Sequence, residues 1–262
     1  MPAHRSGLRH AVAPAACQPA GVSVDLAGRS VLVVGATGGL GLPIGRRLAA
    51  RGAALTASAR PSARLDAVAA ELGAPAVPGD LLEPDAAARV VAAAVERHGR
   101  LDGVVFAAGV VAFGPAAEVD DATLERLLAL NVLAPVRLLR AAVPHLAASG
   151  EGFVVHVSAV VAEQPTVGMA AYSASKAALA AFDAAAGREL RRSRIRLIDV
   201  RPPHTETGLA TRPIAGVPPR LPQGLDPDAV AERIVAAIEA GERDVPASAF
   251  AGEPVSDRRT AS

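Results

Sequence analysis

The chain has no tryptophan, a single tyrosine (Tyr172), a single lysine (Lys176), a single asparagine (Asn131) and a single cysteine (Cys17). Each scarcity excludes something. One cysteine cannot close an intrachain disulfide, so a reducing, cytoplasmic setting is expected. Aromatics make up 2 % of the residues, so the core has to be packed with aliphatic side chains. The formal charge of +1, without a basic stripe, points away from nucleic acid and acidic membranes as partners. No uninterrupted apolar run reaches the length of a membrane span. The histidines His4, His10, His98, His145, His156 and His204 are scattered without metal-ligand spacing, so no metal is expected.

What is present is a long aliphatic chain. Its 262 residues are 51 % hydrophobic, enough for a substantial core in one large α/β domain. Residues 1–25 read as a disordered leader, 26–250 as the domain and 251–262 as a disordered tail. The leader's apolar part is short and broken by Pro14, unlike a targeting peptide. All but one of the 27 basic residues are arginine, and the lone lysine lies four residues after the lone tyrosine. Arginine cannot usefully lose a proton, so a position that keeps lysine in this chain points to a need for an ammonium.

Strand and helix patterns alternate from residue 29 onward. Strands are expected at 30–35, 53–59, 76–78, 101–107, 152–158, 195–200 and 243–245. Helices are expected at 41–51, 62–72, 85–98, 121–148, 170–192 and 226–240, with Pro135 and Pro144 kinking or breaking the fourth. Continuously apolar strands separated by helices imply a doubly wound parallel sheet in a single α/β domain. Ligands of such sheets sit at the carboxyl ends of the strands.

The first strand runs into Gly35-Ala36-Thr37-Gly38-Gly39-Leu40-Gly41, and a helix follows. Glycines permit a tight turn and close backbone approach to a diphosphate, and the helix N-terminus offers free N–H groups to its charge. The glycines fit both G-x-x-x-G-x-G and G-x-x-G-x-x-G, which leaves the choice between dinucleotide-binding families open. An acid after the second strand would accept the ribose of NAD. The chain has Ser58-Ala59-Arg60 there, and Arg60 suits a 2′-phosphate, so NADP(H) is expected before NAD(H). Asp80 could cap an adenine amino group or could equally be a turn residue.

Tyr172-Ser173-Ala174-Ser175-Lys176 places a phenol and an ammonium on one helix face, one turn apart. A phenol titrating near about 10 is a weak base at neutral pH. A neighbouring cation would lower that value toward a useful range. Ser158, ending the fifth strand, could donate to a substrate oxygen.

These residues together resemble the short-chain dehydrogenase/reductase family in its short, single-domain, Rossmann-type form. The glycine loop, Asp80, Ala108-Gly109, Asn131, Ser158, Tyr172, Lys176 and the 202–207 segment occur in the family's order. The resemblance implies Tyr172 as general acid/base and Lys176 as the residue that tunes it and holds the nicotinamide ribose. It implies Ser158 as the group that polarises the substrate oxygen and Asn131 as the holder of a relay water. Cofactor contacts are implied for Gly35, Thr37, Gly38, Gly39, Leu40, Gly41, Arg60, Asp80, Leu81, Ala108, Gly109, Tyr172, Lys176, Pro202, Thr205 and Thr207. It also implies a homodimer or homotetramer.

Four departures stand out: Val34 before the first glycine, Phe106-Ala107 before Ala108, Pro203 after Pro202, and an interval of 14 from Ser158 to Tyr172. The 208–225 segment is short and proline-rich, which predicts an open pocket. His204, Glu163 and Gln164 are secondary candidates for its wall. The function expected is hydride transfer between NADP(H) and a carbonyl or secondary alcohol. The alternative is an NADP-binding sensor without turnover. An extended sugar-nucleotide epimerase is disfavoured by length.

Overall fold

The computed structural model describes residues 23–256. The leader through residue 22, including Cys17, and the last six residues of the tail lie outside the described residues. Of the expected leader, Val24 is instead buried, and its N–H donates to Glu239 O at 2.8 Å. Of the expected tail, Val255 bridges Leu225.

Seven parallel strands form one sheet in the order β3-β2-β1-β4-β5-β6-β7. They are β1 (Ser30–Val34), β2 (Ala54–Ala59), β3 (Ala76–Pro78), β4 (Gly103–Phe106), β5 (Phe153–Val157), β6 (Arg196–Val200) and β7 (Asp244–Val245). The helices are α1 (Gly41–Ala50), α2 (Ala63–Glu71), α3 (Ala86–His98), α4 (Asp121–Leu128), α5 (Ala134–Ala148), α6 (Ala170–Glu189) and α7 (Pro227–Ala240). The chain turns back between β1 and β4, so the loops after those two strands meet at the switch point where α/β sheets bind ligands.

Side-chain alternation explains the layers. Val31, Val33, Val105, Val155 and Ile198 face α1, α2 and α7. Leu32, Val34, Val104, Phe106, Val154 and Leu197 face α3, α5 and α6. Both faces of β1 and β4 are therefore apolar, which is why these strands read as unbroken hydrophobic runs. The helix starts have local causes. Ser62 accepts from Leu65 N at 3.3 Å, Asp120 from Thr123 N at 2.6 Å, and Asp226 from Asp228 N at 2.7 Å ahead of Pro227. Gly99 and Gly241 end α3 and α7 in the left-handed conformation.

The expected break in the 121–148 stretch occurs as a π-helical segment, Ala129–Leu133, between α4 and α5. Ala134 N–H donates to Ala129 O, five residues back. Pro135 follows in the first turn of α5, and without an N–H it cannot serve the Asn131 carbonyl in an α-helical register. Pro144 sits inside α5 without ending it. By length and composition alone the 28 residues of this run could cross a membrane. Leu127, Leu138, Leu139 and Leu146 instead pack into the interior.

Candidate active site

The glycine turn begins where β1 ends, one residue earlier than expected, because Gly35 adopts φ +81°. Its N–H and that of Ala36 both donate to Ser58 O, tying the turn to the end of β2. A Cβ on Gly35 would lie 2.7 Å from Ala108 N, so the loops after β1 and β4 touch backbone to backbone. A Cβ on Gly41 would lie 2.7 Å from Gly35 C. The turn delivers the chain into α1, whose N-cap, Leu40, supplies no side-chain acceptor and whose first turn carries no acid. Three other helices have a side-chain cap, whereas in α1 Leu42 N–H donates to Gly38 O at 3.2 Å and Pro43 has no N–H, which leaves the Gly41 N–H at the helix start for an anion. This donor set fits a dinucleotide diphosphate, with Thr37, Gly38, Gly39, Leu40 and Gly41 around it.

Gly39 lies against the loop after β6, where a Cβ would come 2.5 Å from Thr207 Cβ. Thr207 N donates to Thr205 O at 2.7 Å, and its Oγ1 accepts from Leu209 N at 3.3 Å. Thr205 is buried, with Oγ1 donating to Pro203 O, and Pro202 O accepts from Val160 N at 3.0 Å. Arg60 is exposed at the end of β2, and among the described residues no ion pair engages it. Asp80 Oδ1 accepts from Leu82 N at 3.1 Å, an Asx turn, while Leu81 is buried beneath it.

The second half of the site is carried by α6 against β5. Tyr172, Lys176 and Ser158 are 6 %, 4 % and 4 % exposed. Lys176 Nζ donates to Val157 O at 2.9 Å, and Ser158 Oγ donates to Lys176 O at 3.3 Å. Burial pulls the Lys176 ammonium down to about 8, opposed by Asp199 and then Asp183. Burial pushes the Tyr172 phenol up beyond its usual range. This corrects the expectation that the neighbouring ammonium lowers it: desolvation governs the phenol, and the ammonium is turned to a strand carbonyl.

Asn131 sits in the π-helical segment as a clamp. Its Oδ1 accepts from Val110 N at 3.1 Å, and its Nδ2 donates to Val110 O and to Ser175 Oγ, both at 3.0 Å. Ser175 Oγ in turn donates to Tyr172 O at 2.7 Å. Gly109 lies between these groups: a Cβ there would be 3.3 Å from Asn131 Oδ1 and 3.6 Å from Lys176 Nζ. Asn131 therefore links the loop after β4 to α6.

The 208–225 segment is strapped down, with Ile214 N donating to Val111 O at 2.9 Å and Phe113 N to Ala215 O at 3.0 Å. A cavity of about 390 Å³ opens beside it, lined by Phe113, Glu118, Asp120, Met169, Ala171 and Val217 among others. Its 112–120 wall was not anticipated. The signal was available, since fourteen residues without a helix or strand separate β4 from α4, and loops of that length are commonly functional. Glu163 turns away to accept from Arg201 and from Ala247 N, and His204 Nε2 lies 3.6 Å from Glu206 Oε1. Neither lines the cavity, and nor do Ser158, Tyr172 or Lys176; Ala170 and Ala171 carry its wall to the start of α6 beside them.

Residues 29–215 match the family model described as short chain dehydrogenase. The chain is 35 % identical over 178 residues to human dehydrogenase/reductase SDR family member 4, covering 66 % of this chain and 64 % of that protein. Thus it spans somewhat under two thirds of that relative's length. A 3-ketoacyl-(acyl-carrier-protein) reductase from Brucella melitensis, solved with NADH, superposes with a TM-score of 0.77 at 27 % identity, over 86 % of this chain and 99 % of that one. A short-chain dehydrogenase from Sphingobium yanoikuyae, solved with NADPH, gives 0.75 at 30 % identity, over 83 % and 87 %.

Proposed function

The chain belongs to the short-chain dehydrogenase/reductase family, and from that premise we propose that it is an NADP(H)-dependent oxidoreductase acting on a carbonyl or secondary alcohol. The observation that carries the reading is the burial of Tyr172, Ser158 and Lys176 on facing surfaces of α6 and β5, beside the glycine turn. A buried phenol and ammonium are costly unless used, and strongly shifted titratable groups cluster at functional sites.

When bound, the reduced nicotinamide supplies a hydride. Tyr172 gives its proton to the substrate oxygen as the carbonyl carbon is reduced. Its upward shift keeps that proton in place until the alkoxide forms. Ser158 Oγ donates to the same oxygen and orients it. Lys176 holds positive charge beneath the reacting groups and stabilises the phenolate left behind. Asn131 fixes the loop on which Gly109 and Val110 approach this centre.

Arg60 favours NADPH through its free guanidinium, and two related structures were solved with NADH and NADPH respectively. A homodimer or homotetramer is supported by Leu124, Leu128 and Leu133, which are exposed along one run. The five-residue step from Leu128 to Leu133 spans the π turn and keeps the strip in line. A cytoplasmic setting rests on the single cysteine.

The test is NADPH and NADH oxidation followed at 340 nm with a panel of aldehydes and ketones. Turnover of at least one substrate, faster with NADPH, supports the reading. Tight NADPH binding without oxidation of any substrate favours the sensor.

A further inference from the structure

One layer below the catalytic residues, the face between β5 and α6 is not apolar. His156 and Asp183 are both essentially inaccessible, and His156 Nδ1 lies 2.8 Å and 3.0 Å from the two carboxylate oxygens of Asp183. The arrangement follows from two periodicities. His156 is two residues before Ser158 and so points to the same side of β5. Asp183 is seven residues after Lys176 and so lies two turns down the same face of α6. Opposite His156 in the parallel register stands Asp199 of β6.

The polar atoms of this layer are unevenly satisfied. His156 Nε2 and Asp199 Oδ1 are buried without a hydrogen-bond partner. The His156 ring meets Phe106 edge to face at 6.1 Å, so no polar group closes that side. The charges that face Lys176 can be named element by element. On β6, Asp199 is paired with Arg201, whose guanidinium also holds Glu163 and Asp244. On β5 there is His156, and on α6 itself there are Asp183 and Tyr172. Asp199 shares its charge with Arg201, whereas Asp183 faces an imidazole; both carboxylates support the Lys176 ammonium, Asp199 the more strongly.

We propose that His156 and Asp183 form a positioning pair for Lys176, in which the imidazole N–H fixes a buried carboxylate that keeps the lysine in its ammonium form. The pair also pins α6 to β5, so that Tyr172 and Lys176 stay in register with Ser158. Asp183 touches neither the substrate nor the cofactor region; it acts through Lys176. The catalytic meaning of the pair rests on the function proposed above, but the charge coupling does not, and the two can be tested separately.

Lys176 is the only lysine in the chain, so protein labelled with [ε-¹³C]lysine gives one side-chain resonance. Its titration reads the ammonium directly, without substrate or turnover. The unsubstituted protein should titrate near 8. Asp183→Asn retains an acceptor for the imidazole N–H and removes the charge. It should move the midpoint down by about one pH unit, a roughly tenfold change, as expected for a charge about 10 Å away across a dielectric of about 20. Should Asp183→Asn not fold, the double variant H156N/D183N keeps a hydrogen-bonding pair without charge and should show the same shift. A midpoint within 0.2 units of the unsubstituted protein in a folded variant would overturn the proposal. A shifted midpoint in a protein that turns over no substrate would leave the coupling standing and count against the assigned enzyme function instead.

Discussion

Lys176 Nζ donates to the carbonyl oxygen of Val157 at 2.9 Å, one residue before Ser158 on β5. That bond fixes the ammonium from α6 at the carboxyl end of the central sheet, where the glycine turn and the loop after β4 also meet. The charge at this point is held against a strong desolvation cost, and its loss with pH is the first consequence.

Catalysis that needs the Lys176 ammonium falls as pH rises through about 8, where burial has placed its titration. Stability moves the other way. The folded value lies below the unfolded one of 10.5, so between about pH 8 and 10.5 the unfolded chain binds more protons. Lys176 therefore contributes a rise in stability with pH across that window. Parallel pH profiles of kcat/KM and of the urea midpoint should diverge above pH 8. A Lys176→Met variant should lose its share of the stability rise.

Arg60 is the residue proposed to discriminate between the cofactors. Arg60→Glu should raise the KM for NADPH at least tenfold and leave that for NADH within about threefold, since an acid repels the 2′-phosphate and suits a ribose hydroxyl. Steady-state kinetics with each cofactor measure both. An unchanged NADPH constant would remove Arg60 from the site.

Gly35 cannot be replaced without strain. Gly35→Ala imposes φ +81° on a residue with a Cβ and drives that Cβ to 2.7 Å from Ala108 N. A cost of about 1–3 kcal/mol is expected. It should appear as a lower thermal midpoint together with weaker NADPH binding by titration calorimetry, because the same turn is proposed to hold the diphosphate.

Asn131→Ala leaves the N–H and C=O of Val110 and the hydroxyl of Ser175 without their shared partner. About 1–3 kcal/mol of stability should be lost. A drop in kcat beyond that of Gly35→Ala is expected, because the clamp joins the loop after β4 to α6, where Tyr172 and Lys176 stand. Circular-dichroism melts and initial rates separate the two effects.

Much of this architecture was legible in the chain. Apolar runs such as 31–34 identify central strands because both faces of a parallel strand are covered. Tyr172 and Lys176 stand out because four residues make one helical turn and neither type occurs elsewhere. What stayed hidden depends on contacts distant in sequence. His156 read as a core residue, and its Asp183 partner is set by the packing of α6 on β5. The rise of the Tyr172 phenol was misjudged because spacing reports the neighbouring ammonium and not the depth of burial. The 208–225 segment likewise showed its length but not its bonds to the 111–113 loop, which join residues about a hundred positions apart.

The claim most open to contradiction is that the Tyr172 phenol transfers the proton. Tyr172→Phe removes one oxygen from a buried side chain and should leave the fold intact. The decisive measurement compares NADPH affinity and the rate of NADPH oxidation in that variant with those of the unsubstituted enzyme, using the best substrate found. The account predicts an unchanged dissociation constant and a rate lower by 10²-fold or more, the order expected for losing a general acid. A rate within a few-fold of the original, at equal affinity, would contradict it.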